Sequence, residues 1–130
     1  MTKNFSIEEF QCKCGCDMPD DVMENVKKLA EELQVIRSIV ESPITINSAY
    51  RCPAHNESVQ KKYRKNYIPF SSTSQHLLGK ASDIVVKGHT PSDTHSLLDD
   101  IMNNEVIING GLGKYNTFTH YDIRDKKARW

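Results

Sequence analysis

Ser74-Gln75-His76-Leu77-Leu78-Gly79-Lys80-Ala81-Ser82-Asp83 leads directly into the apolar pair Ile84-Val85. Histidine and carboxylate are natural ligands of a catalytic zinc. Fully extended, the seven steps from His76 to Asp83 would hold the two side chains roughly 23 Å apart. Ligand atoms around one tetrahedral zinc lie only about 3.3 Å apart. Shared ligation therefore requires the chain to fold back between them, and Gly79 is the residue suited to the reversal. Asp83-Ile84-Val85-Val86 reads as a strand, a rigid platform for a ligand. The competing reading of the stretch is a turn before a buried strand.

A second segment favours the metal reading. Gly110-Gly111-Leu112-Gly113-Lys114-Tyr115 is followed by Phe118-Thr119-His120-Tyr121-Asp122-Ile123-Arg124. His120 stands in an aromatic and β-branched strand pattern, where a third ligand would stand. Two histidines and one carboxylate leave a position open on zinc, which is the catalytic arrangement.

Ser-x-His-x-x-Gly-x-Ala-x-Asp-Ile, then Gly-Gly-Leu-Gly-x-Tyr, Phe-x-His-x-Asp-x-Arg and a closing Arg-Trp, resembles the M15 family of zinc peptidases. Upstream, Ile46-Asn47-Ser48-Ala49-Tyr50-Arg51 resembles that family's Ser-x-Tyr-Arg block. The resemblance implies a D,D-carboxypeptidase or endopeptidase that hydrolyses peptide bonds in bacterial peptidoglycan stem peptides. It implies zinc held by His76, Asp83 and His120, and an Arg51 that anchors substrate or stabilises the oxyanion. Ser48, Tyr50 and Ser74 are the accompanying candidates for substrate contact. The implied fold is α+β, a small and mainly antiparallel sheet packed with helices, as in D-Ala-D-Ala carboxypeptidases and Hedgehog-type domains.

The chain departs from that pattern at one place. Many members carry a catalytic acid three residues before the last histidine ligand, where this chain has Thr117. Asp122, two residues after His120, lies on the same strand face by alternation and is the candidate proton acceptor. The missing acid keeps a second reading open: a cell-wall binding module without activity.

Length and composition agree with one domain over residues 1–130, since 130 residues support one core and not two. Seventeen basic and seventeen acidic residues cancel, so no net charge draws the chain to nucleic acid or anionic membranes. No apolar run approaches the roughly 20 residues of a membrane helix. Met1-Thr2-Lys3-Asn4-Phe5 and its continuation lack a signal peptide's apolar centre, so the chain either avoids that export route or lacks its leader. The resemblance implies a peptidoglycan peptide as the partner, met by a monomer.

Residues 1–19 form a cysteine-containing lead-in with Cys12, Cys14 and Cys16; Cys52 is the fourth cysteine. One disulfide to Cys52, buried free thiols and a structural zinc are all open, although C-x-C-x-C lacks the usual zinc spacing. Val22, Val26, Leu29, Leu33, Ile36 and Val40 step by fours and threes, which predicts a helix over 20–40. Thr90-Pro91-Ser92-Asp93 predicts the start of a second helix. Strands are expected near 44–50, 83–87, 105–109 and 118–123. The basic and aromatic run Lys61, Lys62, Tyr63, Arg64, Lys65 and Tyr67 reads as a solvated loop or short helix at the rim of a cleft.

Overall fold

The apolar stripe of residues 20–40 forms a helix, α1 (Asp20–Val40), with Val22, Val26, Leu29, Ala30, Leu33 and Ile36 buried along one side. Asp20 and Asp21 occupy its first turn, where negative charge suits the helix dipole. Glu41, left-handed at φ 52°, ends it, and its N–H returns to the Arg37 carbonyl. The computed structural model describes residues 1–63 and 74–130. Arg64, Lys65 and Tyr67 of the basic run lie outside the described residues.

Strand β1 (Ile44–Ser48) follows, then helix α2 (Pro53–Tyr63), strand β2 (Ala81–Val86), helix α3 (Pro91–Asn103) and strands β3 (Gly111–Lys114), β4 (Thr119–Asp122) and β5 (Ala128–Arg129). The sheet order is β1-β2-β4-β3-β5. All pairings are antiparallel except β3 with β5, which is parallel. The fold is therefore α+β with a mainly antiparallel sheet. Among the described residues, no helix is long and apolar enough to cross a membrane.

Alternation along the strands separates two faces. Ile44, Ile46, Ile84, Val86, Leu112 and Tyr121 join the α1 stripe, with Leu98 and Met102 of α3, in one apolar core. Burial of such side chains contributes roughly 1.5–3 kcal/mol each. Asp83, His120 and Gly113 occupy the alternate positions. Thr90 caps α3 by accepting from the Asp93 N–H at 3.0 Å, as its sequence predicts.

The strand expected over 105–109 does not form. Glu105 turns left-handed at φ 59°, and the Val106 N–H bonds back to the Ile101 carbonyl at 2.9 Å. The Ile108 N–H goes to the Glu32 carboxylate and its carbonyl accepts from the Tyr121 hydroxyl, so side chains take the groups a ladder would use. Val106 and Ile108 remain exposed. The strand begins instead at Gly111.

Candidate metal and substrate site

The site grows from one rung of the sheet. Asp83 of β2 stands directly opposite His120 of β4, and His120 stands opposite Gly113 of β3. On the other side, Ser48 of β1 pairs with Asp83, after a register shift between Ile46 and Ser48. Directly opposed residues send their side chains to the same face.

His76 reaches that rung from a short 3-10 turn, Gln75–Leu78, between α2 and β2. Ser74 caps the turn by accepting from the His76 N–H at 3.3 Å, and Gly79 closes it at φ 72°. A side chain at Gly79 would overlap Val22 of α1. Two bonds then lock the turn to the end of β1. The Arg51 N–H donates to the His76 carbonyl at 3.1 Å, and His76 Nδ1 lies 2.6 Å from the Ala49 carbonyl oxygen.

A carbonyl only accepts, so Nδ1 of His76 carries a proton, and Nε2 is the nitrogen that can offer a lone pair to a metal. That Nε2 faces Asp83 Oδ2 at 3.3 Å. His120 is arranged in mirror fashion. Its Nε2 lies 2.6 Å from Asp122 Oδ2, and its Nδ1 lies 3.0 Å from Asp83 Oδ1. The ligand atoms of His76, Asp83 and His120 all lie within 4.8 Å of one another, and all three residues are buried. Each imidazole thus has one nitrogen held by a protein acceptor and the other turned inward. That is how ligand histidines are oriented. Two inward nitrogens and a carboxylate are a borderline-to-hard donor set that fits zinc.

Electrostatics follow from this crowding. Burial pushes the Asp83 carboxyl up, but His120 and His76 overcome it and hold the group well below the usual carboxylate range. Burial opposes a charge on His120, yet Asp122 and Asp83 raise its pKa above the ordinary value.

Asp122 does share the face of His120, but both its oxygens are engaged. Oδ1 accepts from the N–H groups of Gly111 and Arg124 and from Arg124 Nε, while Oδ2 meets His120 Nε2 and Arg124 Nη2. The residue is fully buried. A Cβ on Gly111 would strike this carboxylate, so the glycine makes room for it. Thr117 is exposed in the turn between β3 and β4.

Arg51 places Nη2 3.7 Å from Asp83 Oδ2, and its Nη1 donates to Asn56 Oδ1 at 3.1 Å. Among the described residues, Nε of Arg51 is buried without a partner. Ser48 and Ser74 are half-buried beside the rung and the turn. Tyr50, a sequence candidate for substrate contact, belongs to the apolar core at 4 % exposure, and its N–H ties β1's end to the Phe10 carbonyl.

Trp130, from the closing Arg-Trp pair, also belongs to this place. Its backbone extends the β3 ladder, with its N–H on the Leu112 carbonyl and its carbonyl on the Lys114 N–H. The indole therefore covers Gly113, where a Cβ would collide with it. The ring centroid lies 5.0 Å from that of His120, the Arg124 guanidinium sits 5.1 Å above the indole, and the side chain is 46 % exposed. The alternating glycines 111 and 113 were the available signal. His89 and His95 lie outside both of the clusters able to hold an ion.

The sequence pattern of the family Peptidase M15 matches residues 3–122. No curated protein sequence matches the chain. The match spans nearly the whole chain, and the chain belongs to the peptidase M15 family.

Proposed function

We propose that this M15 peptidase is zinc-dependent and hydrolyses peptide bonds in peptidoglycan stem peptides, as a D,D-carboxypeptidase or an endopeptidase. The observation that carries the reading is the convergence of His76 Nε2, His120 Nδ1 and the Asp83 carboxylate, with each imidazole held from behind. The choice of substrate rests on the resemblance of the Ser-x-Tyr-Arg, His-x6-Asp and His-x-Asp blocks to cell-wall enzymes. A zinc ion in this donor set supplies Lewis acidity toward the scissile carbonyl and lowers the pKa of water.

The chain's own residues do the rest. Arg51 is charged and largely desolvated, and among the described residues its Nε has no partner. It is suited to a substrate carboxylate or to the oxyanion formed on the carbonyl. Ser48, beside Asp83, and Ser74, at the lip of the His76 turn, are the candidates for hydrogen bonds to the peptide backbone. Trp130 offers an exposed aromatic face beside His120 for substrate packing.

The proton-acceptor role that alternation gives Asp122 does not suit its surroundings. A carboxylate with both oxygens bonded and no exposed surface has no approach for water. Asp122 instead holds His120 in the tautomer and orientation that turn Nδ1 inward, and is a positioning residue.

The test is hydrolysis of a purified muropeptide by zinc-loaded and chelator-stripped protein. Release of free D-alanine marks a carboxypeptidase, and an internal cut marks an endopeptidase. Loss on stripping and recovery with zinc are expected. Pelleting with peptidoglycan and no product at any zinc concentration would instead establish the binding-module reading.

A further inference from the structure

The four cysteines come together far from their positions in sequence. Cys12 Sγ lies 3.2 Å from Cys14 Sγ and 3.8 Å from Cys52 Sγ, and Cys14 Sγ lies 3.4 Å from Cys52 Sγ. With Cys16, all four sulfurs fall within 4.8 Å of one another, and none is in a disulfide. A disulfide needs about 2.05 Å and joins only two sulfurs. Four thiolates around one tetrahedral zinc at about 2.3 Å stand about 3.8 Å from each other. The observed separations belong to that second arrangement.

Local structure explains how C-x-C-x-C, too tight for an ordinary zinc spacing, can serve. The Gly15 N–H closes a turn on the Cys12 carbonyl at 3.0 Å, with Gly15 left-handed at φ 84°. The chain therefore reverses across Lys13 and Cys14, and Cys14 and Cys16 both return toward Cys12. Cys52 arrives from the other side, immediately before the first residue of α2. Two backbone donors already point at sulfur: the Cys52 N–H at Cys12 Sγ and the His55 N–H at Cys52 Sγ, each at 3.4 Å. Such donors stabilise and orient thiolate ligands, and the positive end of α2 adds to them.

We propose that Cys12, Cys14, Cys16 and Cys52 hold a single structural zinc ion, separate from the His76–Asp83–His120 site. Each ligating thiol releases its proton to solvent on binding. A four-sulfur set with no open position suits a structural ion rather than a catalytic one. A multi-iron cluster would require its sulfurs to spread across more than one metal, which the mutual closeness argues against.

The ion has a specific mechanical task. The lead-in otherwise reaches the end of β1 through the Tyr50 N–H on the Phe10 carbonyl. Cys52 directly follows Arg51. A zinc shared by Cys12, Cys14, Cys16 and Cys52 clamps the lead-in against the segment that presents Arg51 to Asp83. It is thus a fastening for the substrate-facing arginine, from outside the reacting site.

Elemental analysis of the full-length, zinc-loaded protein should find two zinc ions per chain, one for each donor cluster. His76→Ala should leave one, and so should the pair Cys14→Ser with Cys16→Ser. Cobalt-substituted protein should show a near-ultraviolet thiolate-to-cobalt charge-transfer band that His76→Ala retains, a readout that needs no cysteine variant to fold. A thiol-directed mercurial should release one zinc and leave the other. A single zinc that disappears with His76→Ala overturns the proposal. So does an intact mass short of two hydrogens under non-reducing conditions, or iron in place of zinc at the thiols. None of these outcomes depends on peptidase activity.

Discussion

Asp83 and His120 are direct partners across the β2–β4 ladder, and their side chains meet at 3.0 Å. The backbone hydrogen bonds of the two strands thereby set the carboxylate-to-imidazole distance. Only His76 must be delivered by a turn. His76→Ala and Asp83→Ala should each abolish zinc at this site while circular dichroism remains native, because neither residue belongs to the apolar core. Chelator-washed protein that regains full zinc occupancy in both variants would contradict the assignment.

Asp122→Asn separates holding from proton transfer. With Asp122 holding His120, zinc affinity should fall roughly 10- to 100-fold and activity should return at saturating zinc. A proton acceptor would instead leave affinity unchanged and lower kcat by roughly 10²- to 10⁴-fold beyond rescue by metal. Zinc titration paired with turnover decides between them.

The same carboxylate predicts how the metal-free protein responds to acid. Burial would raise the Asp122 pKa, but hydrogen bonds from Arg124 and His120 hold it well below the ordinary range. A group whose pKa is depressed by folding contributes stability that is present above its unfolded pKa, about 4, and is lost as pH falls toward the folded value. Wild-type protein should therefore lose stability below about pH 4 more steeply than Asp122→Asn. Urea midpoints measured across that range give the comparison.

Arg51→Lys keeps the charge and removes the planar fork. A charge-assisted hydrogen bond is worth about 1.5–3 kcal/mol, so kcat/KM should fall about 10- to 100-fold with zinc content unchanged. Equal kcat/KM in the two proteins on a muropeptide would remove Arg51 from substrate contact.

Gly113→Ala tests the contact between the glycine and the indole. The added methyl collides with Trp130 and should cost about 1–3 kcal/mol. In a Trp130→Ala background the same substitution should cost much less, since the colliding ring is gone. A double-mutant cycle in chemical denaturation reads the coupling.

Much of this was legible in the residues. Helix α1 announced itself through six evenly stepped apolar side chains, and Thr90 through a hydroxyl placed to cap Asp93. His76, Asp83 and His120 stood out because ligand chemistry restricts residue type. What was not legible depended on pairing. Residues 105–109 carry a strand composition, yet a left-handed Glu105 and bonds to Glu32 and Tyr121 divert their backbone. Tyr50 looked available at a strand's end, yet it is buried in the core that the lead-in residues Phe5, Phe10 and Cys12 also join. At the four cysteines the sequence leaves a disulfide, free thiols and a structural zinc open, because spacing rules count residues along the chain and do not register a glycine turn with a distant fourth thiol.

The shift of register between Ile46 and Ser48 divides β1 into two stretches answerable to different demands. Before it, Ile44 and Ile46 are constrained by what fits against α1. After it, the backbone is spaced for Ser48 to meet Asp83, for the Ala49 carbonyl to receive His76, and for Arg51 to reach the same carboxylate. Asn47 is the extra residue of that shift: Ile46 pairs with Ile84, yet the next β2 position, Asp83, meets Ser48 and not Asn47. One residue of length, with no functional group in use, thus passes the strand from the demands of the interior to those of the site.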